Sequence, residues 1–252
     1  MLQIQPFFAN REMFETLSQQ ENLNYEIMEL SMGYLSESDT EGALTWYKNS
    51  NRATSLHGAF MDNNPASSEM GIALFSKEVC RTSCRYAQKA GAKNVVFHSS
   101  CFPNLRGYYL EGWANKCAEF YSELSRSFDI NIYIENSFDL DTTPILELMK
   151  RTDSSHIGVC LDVGHAVLSR ISIEKWFDDL YDRIGYIHLS DNMGEFDDHL
   201  PLGTGTVDLK KISKLCESFP QSTPVTIEVS RPSQISQSLE YMKQNELFKN
   251  LR

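Results

Sequence analysis

The chain has 252 residues, 41% of them hydrophobic, and a formal net charge of −11. This length and apolar content are enough for one barrel-sized core, and residues 1–252 are read as a single domain. No stretch approaches the roughly eighteen consecutive apolar residues of a membrane span. The opening MLQIQPFF lacks the basic start and long apolar segment of a secretion signal, so a cytoplasmic location is expected. The acidic balance repels phosphate backbones, and no basic run marks a groove that would override it. Nucleic acid is therefore not the expected partner.

From the N-terminus, apolar runs at 3–8, 25–30, 54–60, 94–98, 131–135, 157–162, 184–189 and 225–229 predict strands. Several are continuous runs of Val, Ile, Phe and Tyr, as in strands buried on both faces of a parallel sheet. Helix-period stretches alternate with them at 11–19, 40–49, 70–90, 109–127, 143–150, 173–181, 209–218 and 235–244. Gly91, Pro103, Pro201 and Pro220 punctuate the joints, and no repeat or linker divides the chain. Eight strands alternating with helices over this length predict a single (β/α)8 TIM barrel. A doubly wound open sheet usually carries a phosphate-binding glycine turn after its first strand, whereas here that strand leads into PFFANRE.

The chemistry is concentrated at the strand ends. His57 (SLHGAF), His98 (VVFHSS), His165 (LDVGHA), His188 (YIHLSD) and His199 (DDHLPLG) stand at or near the ends of apolar runs. Glu135 (IYIENS), Asp162 and Glu228 (TIEVS) do the same. Ending a buried run on an imidazole or carboxylate is costly unless something compensates the polar group. In a barrel these ends converge on one opening, with Asp197 and His199 folding over from the long loop after the seventh strand. Imidazole and carboxylate donors without cysteine suit a divalent metal, Zn, Mn, Co or Fe, at one to three ions per chain.

Other polar residues read differently. His156 is taken as structural and Glu26 as the outward residue of its strand, while Glu29 is open between lining the pocket and bracing a helix. The six cysteines show no CxxC spacing and read as reduced thiols, with Cys101 close to His98. Arg106, Tyr108 and Tyr109 are candidates to meet a polar ligand at the barrel mouth. Phe7, Phe8 and Trp113 are candidates for an apolar wall against a sugar's C–H face.

CLDVGHA, YIHLSDN, the D-x-H-x-x-L-G-x-G run from Asp197 to Gly205 and the final I-E-V resemble the xylose isomerase-like TIM-barrel superfamily. That superfamily includes sugar isomerases and epimerases, inositol-catabolic enzymes and the endonuclease IV type of abasic-site nuclease (AP endonuclease family 2). For the single-metal isomerases and epimerases, the resemblance implies Glu135, Asp162, His188 and Glu228 as ligands. Glu135 and Glu228 would also move the substrate proton through an enediolate, and His165 would hydrogen-bond the substrate. For the endonuclease IV type it implies three zincs. His57, His98 and Glu135 would hold the first; Glu135, Asp162, His188 and Glu228 the second; His165, Asp197 and His199 the third. All of these positions are filled, yet Arg11, Arg52 and Arg106 are too few and scattered to track a duplex. The resulting expectation is a metal-dependent isomerase or epimerase of a small sugar, sugar phosphate or polyol. A zinc-dependent phosphodiesterase or abasic-site endonuclease is the alternative. Barrels of this kind often form homodimers, although no apolar segment of the sequence marks an interface.

Overall fold

Eight parallel strands pair in chain order, and the eighth returns to the first to close a barrel. The computed structural model describes residues 1–152 and 155–251. The strands are β1 (Leu2–Ile4), β2 (Asn24–Ile27), β3 (Ala53–His57), β4 (Asn94–His98), β5 (Asn131–Glu135), β6 (Ile157–Asp162), β7 (Ile184–Leu189) and β8 (Val225–Ile227). The helices are α1 (Arg11–Glu21), α2 (Glu37–Ser50), α3 (Met70–Ala90), α4 (Gly107–Phe128), α5 (Thr143–Met149), α6 (Val163–Val167), α7 (Ile173–Leu180), α8 (Leu209–Leu215) and α9 (Pro232–Gln244). Parallel neighbours need long crossovers, and helices supply them. None of these helices is long and apolar enough to cross a membrane.

Local chemistry sets the helix ends. The Ser36 hydroxyl accepts the Asp39 N–H at 3.1 Å and starts α2, and the Asp208 carboxylate accepts the Lys211 N–H at 3.0 Å to start α8. Gly91, at φ 87°, takes the left-handed conformation that ends α3. Before the glycine, Lys89 supplies a basic group in the last turn.

The first two strands stop sooner than the apolar runs predict. Pro6 has no N–H to give a sheet, and the Phe8 N–H turns aside to the Glu29 carboxylate at 2.9 Å. That carboxylate also accepts the Tyr47 hydroxyl at 2.7 Å. Glu29 therefore sits in a short 3-10 turn beyond β2 as a buried brace between the first and second crossovers. Of its two readings from sequence, the structural one holds. At β3, Gly58 ends the run, because a Cβ there would lie 2.2 Å from the Phe97 ring.

The barrel has two buried compartments. Outward-facing Ile4, Ile27, Phe97, Ile134 and Leu189 join the main core beneath the helices, whereas Val96, Cys160 and Tyr186 form a small separate cluster with Tyr133. Glu26 corrects the expectation that it faces outward. It is fully buried and bonded across the barrel to Gln5, Tyr186, His188 and Thr226. Its neighbour Tyr25 points the other way and stacks on Trp46 at 5.6 Å. In this barrel the outward side chains of β2, Tyr25 and Ile27, pack into the apolar core beneath the helices, and Glu26 between them lies inside. All six cysteines are buried and unpaired.

Replacing Glu29 by Ala removes the acceptor of two donors, and we expect it to lower unfolding stability by about 2 kcal/mol while bound metal is retained. Urea titration with elemental analysis checks this. Loss of metal with unchanged stability would instead put Glu29 in the site.

Candidate metal centre

Closure carries the ends of β3 to β8 to one opening. His57, His98, Glu135 and Asp162 are the last residues of β3, β4, β5 and β6. His188 is one short of the end of β7, and Glu228 follows β8. His165 is not at a strand end. It lies in α6, where the Asp162 carboxylate accepts its backbone N–H at 2.6 Å and so starts the helix. Asp162 thus shapes the turn that presents His165.

Five overlapping groups of donor atoms result among the described residues, each with its atoms within 4.8 Å of one another, and three of them together take in all nine candidate donors: His57, His98 and Glu135; Glu135, Asp162, His188 and Glu228; and His165, Asp197 and His199. In the first, His57 Nε2 and His98 Nε2 approach Glu135 Oε2 at 3.3 and 3.6 Å. In the second, His188 Nδ1 lies 3.2 Å from Glu228 Oε1 and 3.5 Å from Glu135 Oε2. In the third, Asp197 Oδ2 stands 3.1 Å from both His165 Nε2 and His199 Nε2. Two ligands at ~2.0–2.2 Å on a tetrahedral ion are about 3.4 Å apart, so these separations suit atoms that share a cation.

The donor set also leaves atoms unsatisfied. Both Glu135 oxygens, Asp162 Oδ2 and His188 Nδ1 are buried without a hydrogen-bond partner. An orphaned buried carboxylate is expensive, and a divalent ion in their midst would compensate it. The residues present therefore fit a metal.

The imidazoles are held by their other nitrogens. His57 Nδ1 is 3.0 Å from the Gly58 carbonyl, His165 Nδ1 is 2.8 Å from that of Asn136, and His199 Nδ1 is 3.0 Å from that of Glu228. A carbonyl only accepts, so each Nδ1 carries a proton, and each Nε2 faces the carboxylate of its group, where it could turn a lone pair to a bound ion. His188 is reversed: its Nε2 donates to Glu26 at 3.0 Å, which frees Nδ1 for the group. Glu26 is thus the carboxylate behind a ligand histidine. Gln5 ties the two layers together, its amide donating to Glu26 at 2.8 Å and Glu228 at 2.7 Å.

The third group depends on a loop. Asp191 accepts the N–H groups of Gly203 and Gly205, each at 2.9 Å, and of Val207 at 3.1 Å. A Cβ at Gly205 would come within 2.3 Å of Asp191 and Asn192. The glycines of the L-G-x-G run thus let the backbone close on Asp191, and the loop between delivers Asp197 and His199. His199 itself has φ 46°, in the left-handed region.

Sequence reasoning missed Glu26, Gln5, Asn136, Asp191 and Cys160. Asn136 clamps the end of β6, its side chain accepting the Asp162 N–H at 2.8 Å and donating to the Asp162 carbonyl at 2.9 Å. The Cys160 sulfur groups with Glu135 and His188, two residues below Asp162 on the same face of β6, and burial pushes its thiol well up. That i, i+2 spacing was the available signal. The proposed substrate contacts lie elsewhere. Trp113 is buried in the helix-layer core, Phe7 is packed against that core, and Arg106 pairs with Asp141 at 2.6 Å. His156, expected to be structural, is exposed and bonds Asn131 at 2.6 Å.

Burial opposes charge on His57, but the carboxylate of Glu135, 3.3 Å away, outweighs it and raises its pKa from 6.5 to about 9. For His199, burial is outweighed by the Asp197 hydrogen bond and the Glu228 charge, giving about 10. Burial lifts Glu228 from 4.5 to about 7, although the charge on His188 works the other way. Burial likewise opposes Glu135, but the charges of His98 and His188 hold it well below its ordinary range.

Two outcomes are expected. All three raised groups bind more protons folded than unfolded, so their contribution diminishes as pH rises through about 7, 9 and 10. Metal-stripped protein should melt progressively lower from neutral to alkaline pH, and added zinc should raise the Tm more at alkaline pH than at pH 6. A flat Tm profile for the stripped protein would contradict this. Glu26→Gln should weaken metal binding about 10–100-fold in competition with a chromophoric chelator, with the fold retained by circular dichroism. Wild-type affinity in that variant would remove Glu26 from any part in holding His188.

The family model of xylose isomerase-like TIM barrels matches residues 21–245. An uncharacterized protein of Methanocaldococcus jannaschii is 26% identical over 209 residues, covering 75% of this chain and 68% of that one. Among solved structures, a D-tagatose 3-epimerase-like protein superposes with a TM-score of 0.77 at 21% identity, over 98% of each chain. A Thermus thermophilus protein soaked with zinc chloride gives 0.75 at 17% identity, over 96% of each chain. At these identities the structural likeness is one of fold. With its family match over most of its length and its closed parallel barrel, this chain belongs to the xylose isomerase-like TIM-barrel family.

Proposed function

We propose that this protein is a divalent-metal-dependent isomerase or epimerase of a small sugar or related hydroxy-ketone. One observation carries the reading. Glu135 and Glu228 reach a common point from β5 and the end of β8, within 4.8 Å of Asp162 and His188. Their acidities are driven in opposite directions, Glu135 downward and Glu228 up to about 7. Two carboxylates entering from different sides suit removal of a proton on one face of a carbon and its return on the other.

Glu135, Asp162, His188 and Glu228 would hold the metal. When bound there, a divalent ion polarises a carbonyl and its neighbouring hydroxyl and makes the carbon between them acidic. One glutamate takes the proton from that carbon and the other delivers a proton, to the opposite face in an epimerisation or to the adjacent carbon in an isomerisation, where the hydroxyl proton also passes to the former carbonyl oxygen. His165, its Nδ1 fixed on the Asn136 carbonyl, presents Nε2 beside Asp197 to a substrate hydroxyl. A D-tagatose 3-epimerase-like protein, a D-allulose 3-epimerase and an L-ribulose 3-epimerase are among the proteins of like fold, which supports this class of substrate.

The three complete donor groups favour a second reading, a zinc-dependent phosphodiesterase with a trinuclear site. The surroundings weigh against a duplex substrate. The chain carries −11, and the mouth exposes Phe102, Tyr108 and Phe138 where a duplex would need cations.

The first measurement is metal stoichiometry on protein purified without added metal, followed by solvent-deuterium exchange at the carbon next to the carbonyl over a ketose panel. We expect about one tightly held ion, wash-in of deuterium on at least one ketose, and loss of that exchange by ~100-fold or more in Glu228→Gln. Two or three zincs, phosphodiester hydrolysis and no exchange would replace the reading with the hydrolase.

A further inference from the structure

Beside the metal centre, on the side of β3 to β5, the barrel mouth continues into a cleft of about 700 Å³. Its inner end is His98, a member of the first donor group. Phe60 stands between cleft and centre, its ring 5.0 Å from His57 and 5.5 Å from His98. The outer walls are Ile72, Phe75, Phe102 and Phe138, and the three phenyl rings are 72%, 68% and 75% exposed. They come from the start of α3 and from the loops after β4 and β5, so barrel closure alone gathers them.

Exposed aromatic rings around a concavity of this size mark a small-molecule site, the usual range being ~300–1,000 Å³. The chemistry of the lining narrows the occupant. No lysine or arginine lines the cleft, so it offers nothing to a phosphate. Three of its polar side chains already hold the backbone in place, and Asp62 adds a negative charge. Ser76 Oγ accepts the Asn64 N–H at 2.9 Å, Asn64 Oδ1 accepts the Ala66 N–H at 3.2 Å, and the Asn63 amide donates to the Ala59 carbonyl at 3.2 Å. A bare polyol laid along the outer aromatic walls would exchange water for phenyl rings at several hydroxyls. An apolar planar group gains on both counts, leaving water itself and covering the rings.

We propose that the substrate carries an apolar, planar substituent alongside its metal-binding hydroxy-carbonyl end, and that this cleft receives the substituent. The inference rests on the metal-dependent reading of the neighbouring centre and names the kind of molecule that centre acts on. Continuity decides for a substrate over a protein partner, since whatever fills the cleft abuts His98 and Phe60 and so lies against the donor groups.

The test uses metal-loaded protein and three hydroxamates that share one chelating head: acetohydroxamate, benzohydroxamate and 4-phenylbenzohydroxamate, with binding followed by calorimetry. An aryl group seated in the cleft should tighten binding about tenfold or more over the methyl compound. In the Phe75→Ala/Phe138→Ala variant that preference should vanish, with acetohydroxamate affinity unchanged. Aryl compounds that bind no tighter than acetohydroxamate would overturn the proposal, and so would a variant that keeps the preference. The same holds if the variant dissociates a dimer while keeping the preference, because the aromatic face is then an interface between copies. Failure of the underlying reading looks different: no hydroxamate binds and no metal is retained, and the cleft proposal falls with it.

Discussion

Four carboxylates, those of Glu26, Glu135, Asp162 and Glu228, are sunk into one end of the barrel, none more than 4% exposed. Taking an ionised carboxylate out of water costs several kcal/mol even after relaxation, and four so close together repel one another as well. The surrounding arrangement answers that cost. Four donors meet Glu26, and His188 bridges it to the upper layer. Above it, Glu135, Asp162 and Glu228 have histidines on every side but few hydrogen bonds of good geometry. The lower layer is complete within the chain, whereas the upper layer keeps buried donor atoms that could hold a cation.

This division also separates rigid parts from adaptable ones. The deep group hangs on strand ends and inherits the stiffness of a closed sheet. The shallow group of His165, Asp197 and His199 depends on one turn of helix and one loop, and Asp197 and His199 keep more than a third of their side-chain surface in water. Asp191 is what makes that loop a defined structure, since its buried carboxylate collects backbone N–H groups from Asn192, Gly203, Gly205 and Val207.

The face around the opening matters as much as the donors within it. Phe75, Phe102 and Phe138 leave a wide apolar margin where a phosphate-backbone partner would require cations. Metal-ligand sets can be held in common by barrels of different activity, because specificity lies in the loops that surround them. Here those loops are aromatic on the side of β3 to β5.

Four strands, β4 to β7, have the bounds their apolar runs predict, because a buried parallel strand is a continuous apolar segment cut off by polar residues. The candidate donors were legible for the same reason: a histidine or carboxylate closing such a run stands out against it. The end of β2 was not legible, since Glu29 acts through contacts between crossovers that no local pattern encodes, whereas Pro6 is a local stop that the apolar run at β1 passes over. The aromatic margin escaped notice because its rings come from segments far apart in sequence. Glu26 is the sharpest case. From sequence it is a charged residue alternating with apolar ones, and alternation gives two faces without saying which is inside. Sequence alone therefore determined the barrel and the kinds of donor it carries. Which face is interior, and so which carboxylate stands behind His188, was decided only by closure of the sheet, because closure buries the apolar face under helices and leaves the polar one to fill the barrel.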